Sequence, residues 1–161
     1  YSNTNYLLLS RIIEQVTGGP RQDYFKEEIL IPLGLNNTFG SLDEVKNLDD
    51  VMSGYYVGIE DDFKTEDQGM IATAEDVGKF LRALNDGTLL NESEMKLYSS
   101  LYEFNHGGLV PGYQSMAEYH KDIDAVVVQF MNTTFFEGYQ WNLLEITHSR
   151  VVKILRKAQG L

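Results

Sequence analysis

The chain has no cysteine, only 13 basic side chains and no long apolar run in its 161 residues. Without cysteine it forms no disulfide, thiolate metal site or cysteine nucleophile, and the redox compartment stays open. Its 24 acidic residues bring the net charge to −11, a field that repels nucleic acid and anionic membranes, and no basic patch offsets it. The longest apolar stretches, 29–35 and 125–131, fall far short of the ~20 residues of a spanning helix. We therefore expect neither a nucleic-acid partner nor a membrane span.

The composition is that of a folded protein. Hydrophobic residues make up 43% of the chain and aromatic residues 12%, with only 3 prolines, which excludes a disordered tail or a low-complexity linker. At this length a single domain buries about 70% of the surface that the unfolded chain exposes. We find no internal repeat and no domain boundary, so the chain is interpreted as one domain.

Helical periodicity dominates the first two thirds of the sequence. Apolar residues at helical spacing predict helices over 5–16 and over about 21–30. A third helix is predicted to open with a capping box at 73–76 and to stop at 85–87, and a fourth to follow Asn91, with Ser93 as its cap. Between them, residues 36–68 are irregular but carry aromatics, which predicts a long packed loop. Residues 1–104 thus form a mainly helical and loop region.

Residues 105–161 have a different pattern. After His106-Gly107-Gly108 the period becomes two, which predicts a hairpin of strands over 115–120 and 124–132. A final helix should pack its apolar face on that hairpin; the face comprises Leu144, Thr147, Val151, Ile154, Leu155 and Ala158. The order of helices, strands and a helix indicates an α+β fold. A sheet this small leaves unpaired edges, so we expect part of the fold to lie outside this chain and edge pairing to favour a homodimer.

Two short phrases carry the candidate chemistry. Tyr1-Ser2-Asn3 precedes a helix, and His106-Gly107-Gly108 precedes the predicted strands. Taken singly, the first is typical of an aromatic anchor with an N-cap and the second of a polar turn. Their order along the chain, together with the phrases between them, supports a more specific interpretation.

The ordered set resembles the C-terminal part of the serine β-lactamase and penicillin-binding-protein-like hydrolases, the superfamily of the class C β-lactamases and D-alanyl-D-alanine carboxypeptidases. The matching stretches run through nearly the whole chain: 1–9, 12–18, 32–35, 69–80, 87–90, 106–115 and 126–132. This resemblance implies the C-terminal portion of a β-lactamase-like fold, an antiparallel sheet flanked by helices with part of the helical subdomain. It implies that the N-terminal strands and the nucleophile helix are absent from this chain. It also implies an extracytoplasmic or cell-surface location, which the chain itself leaves unknown.

The resemblance implies three catalytic residues. Tyr1 would act as the general base, since a phenol held near cations ionises below its reference pKa of about 10. Asn3 would donate its amide N–H to the carbonyl on the acyl side of the substrate. His106 stands where many relatives have lysine and would present a cationic or hydrogen-bonding group to the tyrosine.

Three further positions would bind substrate in such enzymes. Gly107 and Gly108 would let the substrate backbone approach the strand, because a Cβ there would obstruct it. The backbone N–H of Leu109 would be one of two donors to the oxyanion. Many relatives have a small hydroxyl residue at the position of Leu109, where it helps to hold a substrate carboxylate. Leucine there favours an ester or amide over an anionic substrate.

The nucleophile of the family lies on a Ser-x-x-Lys helix upstream of the tyrosine, where the i, i+3 spacing lets the amine assist the hydroxyl. The string Ser93-Glu94-Met95-Lys96 has that spacing but follows the tyrosine, and we interpret it as a solvated helix start. His106, His120 and His148 lack short ligand spacing, so no metal site and no cofactor are predicted.

Three functions remain open. The first is a serine hydrolase that acts on a small-molecule or peptide substrate, a β-lactam, a D-Ala peptide or an ester, through an acyl-enzyme; this chain alone would then be inactive. The second is a non-catalytic peptide- or ligand-binding module derived from the same fold. The third is a structural domain in which Tyr1 and His106 only pack.

Overall fold

The computed structural model describes residues 2–65, 69–101, 105–137 and 140–161. The helices in these ranges are α1 (Asn3–Thr17), α2 (Arg21–Phe25), α3 (Ala74–Asn85), α4 (Glu92–Leu101) and α5 (Gln140–Ala158). The strands are β1 (Thr38–Phe39), β2 (Tyr55–Tyr56), β3 (Ile71–Ala72), β4 (Asn105–Val110), β5 (Tyr113–His120), β6 (Ala125–Met131) and β7 (Thr133–Thr134). The chain is α+β, as predicted. No described helix is long and apolar enough to cross a membrane.

The first two helices confirm the predicted periodicity. Helix α1 ends at Gly18, whose left-handed backbone (φ 77°) lets its N–H donate to the Glu14 carbonyl at 2.9 Å. Ser2 is the N-cap, and Asn3, which alone is typical of an N-cap, is instead the first helical residue. Helix α2 continues as a π-helical turn over Lys26–Leu30. The apolar face of α1 is exposed, with Val16 81% accessible.

The predicted loop packs through its aromatic residues. The ring of Tyr56 lies 6.3 Å from that of Phe63 and 5.3 Å from that of Phe136. Strand β2 pairs with β7 in parallel and β1 pairs with β3 antiparallel. The loop is therefore fastened both to the end of the main sheet and to the segment before α3.

Half of the predicted capping box of α3 forms. The Thr73 hydroxyl accepts from the Asp76 backbone N–H at 3.2 Å, as expected of an N-cap. The Asp76 carboxylate does not return to Thr73; it accepts from the Asn37 N–H at 2.8 Å and the Thr38 hydroxyl at 3.0 Å. The Asp76 side chain is only 2% exposed. Its carboxylate therefore holds the loop to the helix start through these two hydrogen bonds, and it does not complete the capping box.

Replacing Asp76 with alanine is expected to lower the free energy of unfolding by about 2–4 kcal/mol, because two donors lose a buried acceptor. Denaturant unfolding of the two proteins measures the difference. Glu75→Ala is the matched control, since the Glu75 side chain is 75% exposed and forms a surface ion pair with Lys79. Equal stability of the Asp76→Ala and Glu75→Ala proteins would show that this buried acceptor does not hold the loop.

Asn91, rather than Ser93, caps α4, which corrects the predicted cap. Its side-chain oxygen accepts from the backbone N–H groups of Ser93 and Glu94, both at 3.0 Å. In return the Glu94 carboxylate accepts from the Asn91 N–H at 2.9 Å, which completes a reciprocal capping box. The Asn91 amide reaches the first turn from two residues before Ser93.

The main sheet is antiparallel, in the order β4-β5-β6. Helix α3 packs against β5 and β6, and α5 also packs against both strands. The predicted hairpin is thus confirmed, together with the packing of the last helix on it. One boundary was wrong: His106-Gly107-Gly108 lies inside β4 and not before the strands. The sequence pattern did not predict this strand, because glycine has a low strand propensity. In the structure both glycines pair with residues of β5.

The buried line of α5 differs from the predicted one. Leu144, His148 and Val152 are 0%, 3% and 3% exposed, whereas the predicted Val151 and Ile154 are 43% and 67% exposed. Residues four apart share one side of a helix, and the side that meets the sheet contains a histidine. The hydrophobic pattern alone therefore placed Val151 and Ile154 wrongly on the side of α5 that packs against the sheet.

Candidate active-site strand

The structure places the predicted site residues on two elements. Asn3 is exposed in the first turn of α1, and Tyr1 lies outside the described residues. His106 to Leu109 are consecutive on β4, and His106 and Leu109 are exposed. His106, Gly107, Gly108 and Leu109 are thus together on one strand, while their relation to Tyr1 remains a prediction.

Strand β4 is an edge of the sheet, and its register fixes which backbone groups face outward. Val110 pairs with Tyr113 across the two-residue turn Pro111-Gly112, so this must be a hydrogen-bonded pair. Antiparallel pairs alternate between hydrogen-bonded and non-hydrogen-bonded. Counting back from Val110, the N–H groups of Leu109 and Gly107 therefore point away from β5. The Leu109 N–H has the direction that an oxyanion donor requires.

A side chain at Gly108 would approach the neighbouring strand closely. It pairs with Ser115, and a Cβ on Gly108 would lie 2.5 Å from the Ser115 hydroxyl oxygen. That approach is shorter than real Cβ contacts, so the hydroxyl would have to move. Packing within the sheet therefore gives a reason for this glycine besides the predicted approach of substrate.

The His106 imidazole contacts the outward edge of the same strand. Its Nδ1 lies 2.8 Å from the Gly107 carbonyl oxygen. A carbonyl oxygen only accepts, so Nδ1 carries the proton in this contact. His106 pairs with Ala117 and so shares the sheet face of Tyr119, whose ring contacts the guanidinium of Arg82 on α3. The imidazole thus presents a hydrogen-bonding group at the accessible end of β4.

The turn after β4 is held by two hydrogen bonds, of which the first is buried. The Gly112 N–H donates to the Thr134 hydroxyl at 2.7 Å, and the Tyr113 hydroxyl donates to the Met52 carbonyl at 2.7 Å. Burial, followed by the negative charge of Asp62, raises the pKa of Tyr113 to about 12. Its hydroxyl therefore stays a donor at neutral pH, and the turn fixes β4 from its C-terminal end.

The Ser-x-x-Lys string on α4 lacks the arrangement of a nucleophile. Ser93 donates its hydroxyl proton to the Asn91 side-chain oxygen at 2.6 Å, within the capping box. Both Ser93 and Lys96 are exposed. The geometry is that of a solvated helix start, as the sequence predicted.

A further cluster was not predicted from spacing. Glu118 and His120 on β5 meet His148 on α5, and one ligand atom from each lies within 4.8 Å of the others. His120 and His148 are distant in the sequence, so only the packing of α5 on the sheet reveals the group. Alternation along β5 could have placed Glu118 and His120 on one face, but not His148 opposite them.

Comparisons with known proteins identify the family and the fold. A family model described as Beta-lactamase matches residues 1–103. The D-amino acid amidase from Ochrobactrum anthropi SV3, complexed with L-phenylalanine amide, is 23% identical with a TM-score of 0.85; the match covers 99% of this chain and 58% of the amidase. An octameric penicillin-binding protein homologue from Pyrococcus abyssi is 24% identical with a TM-score of 0.70, over 83% of this chain and 38% of the homologue. No curated protein matches the sequence.

A third solved structure agrees with these. The D-stereospecific amidohydrolase from Streptomyces sp. is 22% identical with a TM-score of 0.68, and the match covers 83% of this chain and half of that protein. The chain thus spans less than two thirds of the solved structures that it resembles, which fits a partial β-lactamase-like fold. With the family model matching well over half of its residues, the chain belongs to the beta-lactamase family.

Proposed function

We propose that the protein carrying this chain hydrolyses an amide or ester through an acyl-enzyme. The observation that carries the proposal is the outer edge of β4, where the Leu109 N–H points away from the sheet beside an accessible His106. Membership of the beta-lactamase family and the similarity to two amidohydrolase folds support it. The nucleophile would come from a serine outside this chain.

The proposed reaction has two steps. The serine oxygen forms a bond to the substrate carbonyl carbon while Tyr1 takes the hydroxyl proton and passes it to the leaving amine or alcohol. The Leu109 N–H stabilises the oxyanion, and one such donor is worth about 2.7–4 kcal/mol in comparable reactions. Asn3 holds the acyl side and His106 orients and polarises the tyrosine. Water then cleaves the acyl ester, which releases the acid and restores the serine.

The substrate class is inferred from Leu109, the residue that follows His106-Gly107-Gly108. Leu109 offers no hydroxyl for a substrate carboxylate, and the chain carries a net charge of −11. Both features disfavour an anionic substrate. The fold neighbour that binds L-phenylalanine amide is an amidase. We therefore favour a neutral amide or ester, such as an amino-acid amide, over a β-lactam or a peptide with a free terminus.

Pre-steady-state kinetics test the proposal. The complete protein should release a burst of chromophore from a chromogenic ester, with an amplitude of one per active site, followed by slower turnover. The 161-residue chain alone should show no burst, because its own Ser-x-x-Lys string lies in a helix cap.

Two results would contradict this assignment. A burst of one per chain from the 161-residue chain would place the nucleophile within it. Saturable binding of ligand by the complete protein, with neither burst nor turnover, would instead support the non-catalytic binding module.

A further inference from the structure

The cluster of Glu118, His120 and His148 lies on the sheet face that α5 covers. Glu118 and His120 are two positions apart on β5, so their side chains share a face. The Glu118 carboxylate oxygen Oε2 lies 3.7 Å from His120 Nε2 and 3.5 Å from His148 Nε2. The two imidazole rings are 5.7 Å apart and tilted by 38°. Three ligating side chains from two elements thus converge on one point.

Three imidazole nitrogens of the two buried histidines lack a hydrogen-bond partner in the part of the chain that the structure describes. His120 is 7% exposed and His148 is 3% exposed. The Nε2 atoms of both rings, and Nδ1 of His148, have no hydrogen-bond partner within the described part of the chain. Each buried polar group left unpaired costs about 1–3 kcal/mol. Three such atoms at one place require an explanation, and a shared ligand is one.

The spacing of the ligand atoms suits a small divalent cation. Zinc binds nitrogen and oxygen ligands at about 2.0–2.2 Å in a tetrahedron, whose edges are then about 3.3–3.6 Å. The distances from the Glu118 oxygen to the two imidazole nitrogens are close to such edges. All three ligand atoms lie within 4.8 Å of one another, so side-chain adjustment would bring them onto a single ion.

We propose that Glu118 Oε2, His120 Nε2 and His148 Nε2 bind a zinc ion. Two imidazoles and one carboxylate form a ligand set that zinc uses with water in the fourth position. The Glu118 side chain is 34% exposed, which gives the ion a route from solvent and the water a place.

The ion would join α5 to the sheet. Its ligands come from β5 and from the buried line of α5, and none of them belongs to the outer edge of β4. Because the folded chain assembles the site, zinc should bind the folded state preferentially and raise the melting temperature. The proposed ion would therefore stabilise the packing of α5 on the sheet.

Calorimetric titration of the chelator-treated protein with zinc tests the site. We expect one zinc ion per chain, a higher melting temperature with zinc, and an absorption spectrum typical of tetrahedral coordination when cobalt replaces zinc. We expect each of three variants, His120→Gln, His148→Gln and Glu118→Gln, to weaken zinc binding at least about 10-fold. Mutating a residue that only orients a metal ligand already lowers metal affinity by about 10-fold or more, and these variants remove the ligands themselves. His106→Gln is the matched control: it removes the third histidine of the chain, lies outside the cluster and should leave zinc binding unchanged.

Two results would overturn the proposed zinc site. No saturable binding of zinc by the folded parent protein, or equal affinity in the parent and all three ligand variants, excludes it. Far-ultraviolet circular dichroism checks that each variant folds. If a histidine variant unfolds, Glu118→Gln decides alone, because its side chain is partly exposed and the amide keeps its shape while losing the charge.

Discussion

Replacing His106 with alanine in the complete protein is expected to lower kcat by about 10²–10⁴-fold, the range for a lost acid–base or polarising group. The free energy of unfolding should change little, because the imidazole is exposed and its hydrogen bond is to the adjacent Gly107 carbonyl. Steady-state kinetics with an amide or ester substrate, alongside denaturant unfolding, separates the two quantities. Loss of turnover with an intact fold is the signature of a catalytic group.

Two further variants sharpen that result. His106→Lys should retain much more activity than His106→Ala, because lysine keeps a cationic hydrogen-bond donor at this position. Lys121→Ala, in the exposed turn between β5 and β6, changes a cationic side chain of the same sheet and should leave kcat unchanged. If alanine at 106 preserves kcat, the imidazole has no part in the reaction and the His106 assignment is withdrawn.

Replacing Gly112 with alanine should destabilise the protein by about 2–5 kcal/mol. Gly112 has φ +86°, and a left-handed backbone costs a residue with a Cβ about 1–2 kcal/mol. The added Cβ would also lie 2.8 Å from the Phe63 Cβ and 3.1 Å from the Gly54 carbonyl carbon, and overpacking of this kind costs about 1–3 kcal/mol. Denaturant unfolding measures the sum.

Gly87 provides the matched control for this effect. It has the same φ of +86°, but a Cβ there would meet nothing within 4 Å. Gly87→Ala should therefore cost only the backbone contribution, about 1–2 kcal/mol. The difference between the two variants isolates the close packing of the β4–β5 turn on the loop. Equal destabilisation would show that the turn is not tightly packed there.

The helices could be predicted because their signals are local. Gly18 ends α1 and Thr73 caps α3 through contacts within a few residues, so the sequence window contains the cause. The cap of α4 shows the limit of that reasoning. Asn91 and Ser93 are both good capping residues. The hydrogen bond that the Asn91 backbone N–H donates to the Glu94 carboxylate decides between them.

Strand β4 and the buried line of α5 could not be predicted from local pattern. Gly107 and Gly108 weaken any strand signal, and their pairing depends on β5, which follows them across a two-residue turn. On α5, apolar residues occupy more than one side, and the sheet selects the side with His148. Both features are set by tertiary contacts, as is the meeting of His148 with Glu118.

The candidate site divides in the same way. Family resemblance assigned roles to Asn3 and His106, and the fold adds the outward direction of the Leu109 N–H, which depends on register. The residues that meet in a complete site come from separate elements, one of them outside this chain in our proposal. No local pattern specifies where Asn3, at the start of α1, lies relative to β4.

Peptide mapping of the acyl adduct most directly tests the central claim that this protein works through an acyl-enzyme. The complete protein would be quenched during turnover of a slow ester, digested, and its peptides weighed. The account predicts one acyl group on a serine of the complete protein that lies upstream of Tyr1 and has a lysine three residues after it. An adduct on Ser93, or turnover with no adduct on any serine, would contradict it.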